Sequence, residues 1–360
     1  MKMILTDKRK GRVFIPNCVK DYKSHLELQE RNLAQNTIKQ YYRYVLTFNG
    51  WLFMNRKVRN KFESQWDEIK GDILLHADQK SLLDFFSSLF NKHMKKTTRN
   101  LYKSAIADFF RWANYEGITE FDPNWAFVYI RKSNTEKKLK SKTPLNREKV
   151  DSIRDYLAKR KAVTPLEIII KSRDMALLEV LVNLGVRVNE VISLKVSNVY
   201  FEKGYINIYG MKTSQNKDGW RMVPTSKNTL LIIKRYIDEF VHHYSPYSGR
   251  SGGDTAGYLF PTIKRTDRVD TSLAMNERTI GKTVERWAIG ANVEDLSPHR
   301  FRHYFITKLC ELKLESGHNM FSMEQLSQIA GCETTTIQKH YYHPSHENML
   351  TVFHQNGIQL

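Results

Sequence analysis

The sequence predicts a mainly α-helical protein with a small antiparallel β-sheet, built as a helical N-terminal domain followed by an α+β domain. Apolar residues recur at helical spacing over about residues 19–116. A strongly apolar stretch at 166–184 predicts a buried core helix in the second half. Alternating apolar residues at 205–209, followed by a second extended run at 220–225, predict a β-hairpin beyond that helix.

The chain carries a large positive charge. Its 360 residues include 57 Lys and Arg against 38 Asp and Glu, which leaves a net charge of +19. Because this charge is spread along the whole chain, it indicates a polyanionic partner such as nucleic acid. Apolar residues at 41% and aromatic residues at 12% favour folded domains over disorder.

Cysteine content and hydropathy exclude several classes. The three cysteines, Cys18, Cys310 and Cys332, form no C-x-x-C pair, which argues against a disulfide framework or a thiolate zinc site. No apolar run approaches the ~18–20 residues of a membrane span, and residues 1–10 lack the apolar core of a signal peptide. We therefore expect a soluble cytoplasmic protein with no membrane partner.

In the N-terminal half, two amphipathic helices present basic faces. Asn36 is expected to cap the first helix, and a later helix is expected to begin at about Thr97. Their predicted buried positions are Ile38, Tyr41, Val45, Phe48 and Leu52, and then Leu101, Ala105, Ile106, Phe109 and Ala113. Cations and hydroxyls near a helix start suit phosphate contacts. The candidate DNA-binding residues are Lys39, Arg43, Lys96, Thr97, Arg99 and Lys103.

Residues 133–146 are polar and basic and include Pro144, which predicts an interdomain linker. Helices are expected at 147–159 and 166–184, the second ended by Gly185 in the left-handed conformation. Arg187 then lies at a buried helix junction. A buried guanidinium needs a partner or a bound anion, and Glu190 is the obvious internal partner.

Three further features, together with Arg187, are typical of a site that acts on a phosphodiester. Lys212 lies at the mouth of the predicted hairpin, with Lys217 as the alternative. A His-x-x-Arg pair, His299 and Arg302, precedes a short amphipathic helix expected to stop at Gly331. A tyrosine follows about forty residues after the pair, within 341–343. An arginine after a glycine break, a lysine, a His-x-x-Arg pair and a late tyrosine together indicate chemistry at a phosphodiester.

This combination resembles the tyrosine recombinases, the family of phage integrases, chromosome-dimer resolvases and element-borne transposases. The resemblance runs from about residue 18 to about residue 346. It implies a helical core-binding domain that clamps duplex DNA and an α+β catalytic domain. The expected divisions are a basic N-terminal extension (1–18), the core-binding domain (19–132), the linker (133–146), the catalytic domain (147–346) and a C-terminal tail (347–360).

The resemblance also implies catalytic roles. Arg187 and Arg302 would each hold phosphate oxygens with a guanidinium fork. Tyr341 would be the nucleophile, forming a 3′-phosphotyrosine and releasing a 5′-hydroxyl, with His299 as the proton-transfer candidate and Lys212 as the acid for the leaving oxygen. Because the covalent intermediate preserves the bond energy, no cofactor, neither ATP nor a metal, is expected.

The sequence departs from the family pattern at one position. Nine residues before Tyr341 the family usually has His or Trp after a glycine, and here it has Cys332, whose thiol is a weak donor. Tyr341 is preferred to Tyr342 because of its spacing and the Tyr-x-His ending. His303 is expected to be structural, packing behind the His-x-x-Arg helix.

The apolar residues of 347–360 form a short amphipathic element, which the resemblance implies docks on a neighbouring subunit. An isolated short helix is marginal in water, so we expect a monomer when free and a homotetramer on double-stranded DNA, associated with the nucleoid. In the alternative, the tail folds back on its own domain.

Two other functions stay open on the sequence. Cys332 motivates a DNA-binding protein on a degenerate recombinase scaffold, which would form no covalent adduct with DNA. A type IB topoisomerase would share the chemistry and relax supercoils without a sequence requirement.

Overall fold

The computed structural model describes residues 16–31, 33–65, 68, 71–122, 144–210, 219–244, 257–263, 269–314 and 319–341. The chain divides into two compact units, Met1–Lys138 and Leu139–Leu360. The division falls within 133–146, the range predicted as linker, most of which lies outside the described residues. In the part of the chain that is described, no helix is long and apolar enough to cross a membrane.

The first unit is helical and has an aromatic core. Phe48 is fully buried, and its ring lies 4.9 Å from that of Phe85 and 6.4 Å from that of Phe110, centroid to centroid. These tilted and edge-on contacts join the three long helices of the unit. The helices are α1 (Asn17–Leu26), α2 (Gln35–Met54), α3 (Arg56–Lys61), α4 (Gln79–Asn91) and α5 (Lys96–Tyr115).

The predicted apolar faces of α2 and α5 are confirmed, except that Tyr41 is only half-buried and Leu101 is exposed. The predicted cap at Asn36 is wrong, because α2 begins at Gln35 and Ala34 occupies the cap position without a side-chain hydrogen bond. Leu101 is 40% exposed, whereas its neighbour Tyr102 is buried, so the buried face of α5 is displaced by one residue near the helix start.

The second unit is organised around a buried helix, α7. A capping box between Thr164 and Glu167 starts it, and Gly185 ends it at φ 56° in the left-handed conformation, as predicted. The helix is buried on nearly all sides, which is typical of a core helix. The helices of this unit are α6 (Arg147–Lys159), α7 (Pro165–Leu184), α8 (Val188–Ser193), α9 (Lys227–Tyr244), α10 (Glu277–Gly290), α11 (Pro298–Glu311), α12 (Met323–Ala330) and α13 (Thr334–His340).

Two small antiparallel sheets complete the second unit. The predicted hairpin is confirmed as β2 (Tyr205–Tyr209) and β3 (Trp220–Pro224), with β1 (Val199–Tyr200) added at the β2 edge. Pairing of Ile208 with Arg221 sets the register. A second pair, β4 (Pro261–Ile263) and β5 (Val269–Ala274), was not predicted. The helix predicted to stop at Gly331 is confirmed as α12, with Gly331 at φ 61°.

Candidate active site

Arg187 lies at the junction between the central helix and α8. It occupies the cap position of α8, and its backbone N–H donates to Glu190 Oε2 at 2.8 Å while its Nη1 donates to Oε1 at 2.9 Å. The predicted partnership with Glu190 is therefore confirmed. The junction is tight, since a Cβ atom built on Gly185 would lie 2.1 Å from Cδ1 of Phe305. Only glycine fits this turn without displacing the aromatic ring.

A second arginine, which the residue patterns did not predict, also binds the Glu190 carboxylate. Arg221 of β3 is buried and donates from Nη2 to Glu190 Oε2 at 2.8 Å and from Nε to the carbonyl of Ile329 at 3.2 Å. Burial alone would raise the pKa of Glu190, but the hydrogen bond and charge of Arg221, together with Arg187, hold that pKa below its ordinary value. The carboxylate is therefore ionised and fixes both arginines.

Arg302 is the most enclosed cation of the candidate site. It is 3% exposed, and it donates from Nη1 to the carbonyl of Gly185 at 2.6 Å and from Nη2 to the carbonyl of Gly331 at 3.3 Å. Burial, followed by the positive charge of Arg187, lowers the pKa of Arg302 to about 10. The side chain stays protonated at neutral pH, and two like charges are held within electrostatic range of each other. Such an arrangement favours a bound anion.

His299 and His303 lie one helical turn apart at the start of α11. Their ring centroids are 4.5 Å apart and the rings are nearly perpendicular, at 87°. Burial, then the charges of Arg302 and Arg187, lower the pKa of His299. The imidazole of His299 is therefore neutral near pH 7 and can accept a proton.

The expectation that His303 packs behind the helix is wrong. His303 is exposed, and its ring centroid lies 5.0 Å from that of Tyr341. It shares the face of His299 because four residues separate the two on α11. Arg302, although adjacent in sequence, points into the interior.

Tyr341 follows directly after α13 and is half-buried against the core of the second unit. Its backbone N–H donates to the carbonyl of Ile337 at 2.9 Å. Burial raises the pKa of Tyr341, while the charges of Arg302 and Arg187 act in the opposite direction. The phenol is therefore protonated at neutral pH and has to lose its proton before it can attack. Tyr342, the alternative nucleophile, lies outside the described residues.

Cys332 is placed beside Arg302. It is 6% exposed, and its thiol lies within electrostatic range of the Arg302 guanidinium. Its carbonyl accepts a hydrogen bond of 2.6 Å from the Ser327 hydroxyl, which holds the turn after α12. Burial raises the pKa of Cys332, and the charges of Arg302 and Arg187 oppose that shift. The sulfur is therefore a neutral thiol within the arginine cluster.

Lys212 and its alternative Lys217 lie outside the described residues, but both ends of their loop are described. The backbone N–H of Gly210 donates to the carbonyl of Gly219 at 2.8 Å and closes the loop. A Cβ atom on Gly210 would lie 2.9 Å from Oε1 of Glu190. The segment that carries Lys212 therefore starts beside the carboxylate that binds Arg187.

A cleft of about 610 Å³ lies beside the two histidines. It is lined by the start of the second unit at 144–146 and by residues of α11 that include His299, Arg300, His303, Lys308 and Glu311. Lys308 is paired with Glu311 at 2.6 Å, so the lining carries charges of both signs.

The six candidate DNA-binding residues of the first unit lie on two helices that pack against each other, α2 and α5. Lys39 and Arg43 are exposed one turn apart on α2. The guanidinium of Arg99 lies 4.9 Å from the ring centroid of Phe90, which is itself 63% exposed. Arg99, like Lys96, is half-buried in the first turn of α5, where Thr97 is exposed, and Lys103 is half-buried one turn further along.

Comparison with known proteins finds similarity over most of the chain. The model of the phage integrase family matches residues 164–347, just over half of the chain. The tyrosine recombinase XerD of Yersinia pestis is 28% identical over 315 residues, which cover 86% of this chain and 88% of the relative. XerD of Vibrio cholerae is 26% identical over 318 residues, with 86% and 87% covered.

Two groups of solved structures share the fold. The Tn1549 transposon integrase in complex with a circular intermediate DNA has a TM-score of 0.61 at 15% identity, covering 95% of this chain and 100% of that one. The XerH site-specific recombinase bound to its difH substrate has a TM-score of 0.59 at 17% identity, covering 98% and 90%. With the family model, these similarities show that the chain belongs to the phage integrase family of tyrosine recombinases, enzymes that cleave and rejoin DNA at specific sites.

Proposed function

We propose that Tyr341 attacks a DNA phosphodiester, forms a 3′-phosphotyrosine and releases a 5′-hydroxyl, after which the 5′-hydroxyl of a partner strand displaces the tyrosine. One observation carries the proposal. Arg302, buried and fixed by two backbone carbonyls, lies within electrostatic range of Arg187, and the charges of both act on His299 and Tyr341. Cations, a neutral base and a phenol from separate parts of the chain therefore meet at one place.

The two arginines would bind the non-bridging phosphate oxygens. A guanidinium has five N–H donors, and the described contacts of Arg302 to Gly185 and Gly331 use two of them. The side chain of Arg187 is 33% exposed, so it reaches the surface from which DNA would approach. The phosphate would gain negative charge in the transition state and relieve the repulsion between the two cations.

Proton transfers would occur on both sides of the phosphorus. His299, neutral at pH 7, would take the phenolic proton of Tyr341 as the oxygen attacks. Lys212 would donate a proton to the departing 5′ oxygen from the loop that begins beside Glu190. Cys332 would add a weak hydrogen-bond donor near Arg302. The exchange of one phosphodiester for another conserves bond energy, so the reaction would use neither ATP nor a divalent metal.

Double-stranded DNA would be held by both units. The net charge of +19 and the basic residues on α2 and α5 support this, as do the DNA complexes of XerH and of the Tn1549 integrase. We expect the logarithm of affinity to fall steeply with the logarithm of salt concentration, and a flat plot would contradict the proposal.

The oligomeric state, the cellular location and the link to a mobile element are also proposals. We expect a free monomer in the cytoplasm, associated with the nucleoid through DNA, and a homotetramer on two DNA sites in which 347–360, outside the described residues, docks on the neighbouring subunit. Recombination within a mobile element fits the likeness to the transposon integrase. Deletion of 347–360 should leave single-site binding intact and remove tetramers, as measured by native gel and light scattering.

A suicide DNA substrate tests the chemistry. A nick near the cleavage position lets the short 5′-hydroxyl strand diffuse away and traps the covalent adduct, which survives SDS. We expect an adduct with the wild type in EDTA and none with Tyr341→Phe, which should bind DNA normally. If Tyr342→Phe is the inactive variant instead, the nucleophile is the next residue. Binding without any adduct would indicate a degenerate scaffold, and relaxation of any supercoiled plasmid would indicate a topoisomerase.

A further inference from the structure

One histidine of the site has no role in the mechanism above. His303 is exposed on α11, and its ring lies against those of His299 and Tyr341, with centroid distances of 4.5 and 5.0 Å. The planes of His303 and Tyr341 are inclined at 36°, and those of His303 and His299 at 87°. These are the separations and tilts of packed aromatic rings.

Tyr341 lies at a helix end and packs against the core of the second unit. It lies one residue beyond α13, at φ −129° and ψ −31°, so helical geometry no longer fixes it. Its described backbone contact is the bond to Ile337, and its ring is half-buried. A phenol at such a helix end samples several rotamers unless a neighbouring side chain limits them.

We propose that His303 is the positioning residue for the nucleophile: its imidazole packs against Tyr341 and His299 and holds the phenol facing the arginine cluster. The catalytic part of this inference rests on the proposed function. Because α11 is anchored through Arg302 to the ends of α7 and α12, His303 is carried on a rigid element. Because the His303 ring is held by α11, its contact would limit the positions that the Tyr341 ring can adopt.

The chemistry of the contact distinguishes positioning from proton transfer. A flat ring of similar size fulfils a packing role, so His303→Phe should keep it, whereas His303→Ala should lose it. A role in proton transfer needs a ring nitrogen, which both variants lack. Misplacement of a reacting group by about 1 Å can cost on the order of 10²-fold in rate.

The first test does not depend on recombination. Wild type, His303→Ala and His303→Phe are treated with tetranitromethane, and tandem mass spectrometry separates nitration at Tyr341 from nitration at Tyr342. We expect faster nitration of Tyr341 in the alanine variant and near wild-type nitration in the phenylalanine variant. Equal nitration in all three proteins would overturn the positioning role. His242→Ala, which removes an exposed histidine on α9, is the matched control.

The second test measures adduct formation with the suicide substrate at saturating protein. His303→Ala should slow it on the order of 10²-fold with unchanged DNA affinity and melting temperature, and His303→Phe should restore most of the rate. Equally slow alanine and phenylalanine variants, or an alanine variant as fast as wild type, would refute the inference. Should the alanine variant fail to fold, His303→Leu gives the same comparison. Absence of an adduct with the wild type would instead refute the proposed function.

Discussion

Arg302 donates a hydrogen bond of 2.6 Å to the backbone carbonyl of Gly185, which lies 117 residues earlier in the chain. Gly185 ends the central helix α7, and a Cβ atom added to it would meet the ring of Phe305, about one turn after Arg302 on α11. The helix end that shapes the core therefore also fixes the guanidinium of the site. Damage to this junction should affect stability and catalysis together.

We predict that Gly185→Ala destabilises the protein and slows cleavage. The residue has φ 56°, and the added methyl group would lie 2.1 Å from the Phe305 ring. A left-handed alanine and an overpacked ring each cost about 1–3 kcal/mol, so urea titration should show a loss of at least this size. Gly281→Ala, inside α10 with no atom within 4 Å of the added carbon, is the control and should gain about 0.5–1 kcal/mol. Equal effects of the two substitutions would contradict the prediction.

Glu190→Gln should weaken the fold in a pH-dependent manner. The folded-state pKa of Glu190 lies below the ordinary value of 4.5, so its ionised form contributes stability above pH 4.5, and this is lost as the pH falls through the folded-state pKa. We expect a loss of about 1–3 kcal/mol at pH 7, because the amide still accepts hydrogen bonds but no longer neutralises Arg187 and Arg221.

The measurement is the free energy of unfolding of wild type and variant at pH 7 and at successively lower pH. The difference should be largest at pH 7 and shrink below pH 4.5. Glu202→Gln, at an exposed position of the same unit, is the control and should show little difference. A difference that grows on acidification would reverse the assigned sign.

The pH dependence of cleavage should report on His299. Its pKa is lowered from 6.5 by burial and by Arg302 and Arg187, so the neutral form persists below that pH. The fall in adduct formation caused by protonation of His299 should therefore be centred below pH 6.5. His299→Ala should lower the rate of adduct formation by about 10²–10⁴-fold. It should also remove the fall in this rate that the wild type shows at acidic pH. An acidic limb centred above 6.5 in the wild type would count against this assignment.

Cys332→His should retain or increase cleavage. Imidazole is a stronger hydrogen-bond donor than a thiol, and the side chain at position 332 lies within electrostatic range of Arg302. Cys332→Ala, which removes the weak donor, should be slower than the wild type. Adduct formation and melting temperature are measured for all three proteins. A histidine variant that melts like the wild type yet cleaves no DNA would show that the thiol serves packing.

The sequence predicted the fold class, the hairpin and the partner of Arg187 because each follows from local signals. Helical periodicity, a left-handed glycine and a carboxylate three residues after an arginine all act over short distances. The second hairpin was missed because β4 has only three residues and too little alternation to identify it.

Long-range relations were harder to predict. Arg221 occupies the inward phase of β3 together with Val223, but a basic residue in a strand usually faces solvent, so nothing local assigned it to Glu190. His303 was expected to pack behind the helix, because no local signal indicated that Tyr341 would lie against its ring. Such contacts depend on how separate helices pack, which residue patterns alone do not determine.

The acceptors that hold Arg302 are main-chain carbonyls, those of Gly185 and Gly331, whereas Arg221 binds one main-chain carbonyl, that of Ile329, and the side-chain carboxylate of Glu190. Every amino acid carries such a carbonyl, so no missense change can delete the acceptor itself. A salt bridge between side chains, by contrast, is lost in a single codon change at either end. The position of Arg302 is therefore less sensitive to substitution of the residues around it than that of Arg187 or Arg221, which depend on the Glu190 side chain. The exceptions are the two glycines, whose backbone angles few other residues adopt.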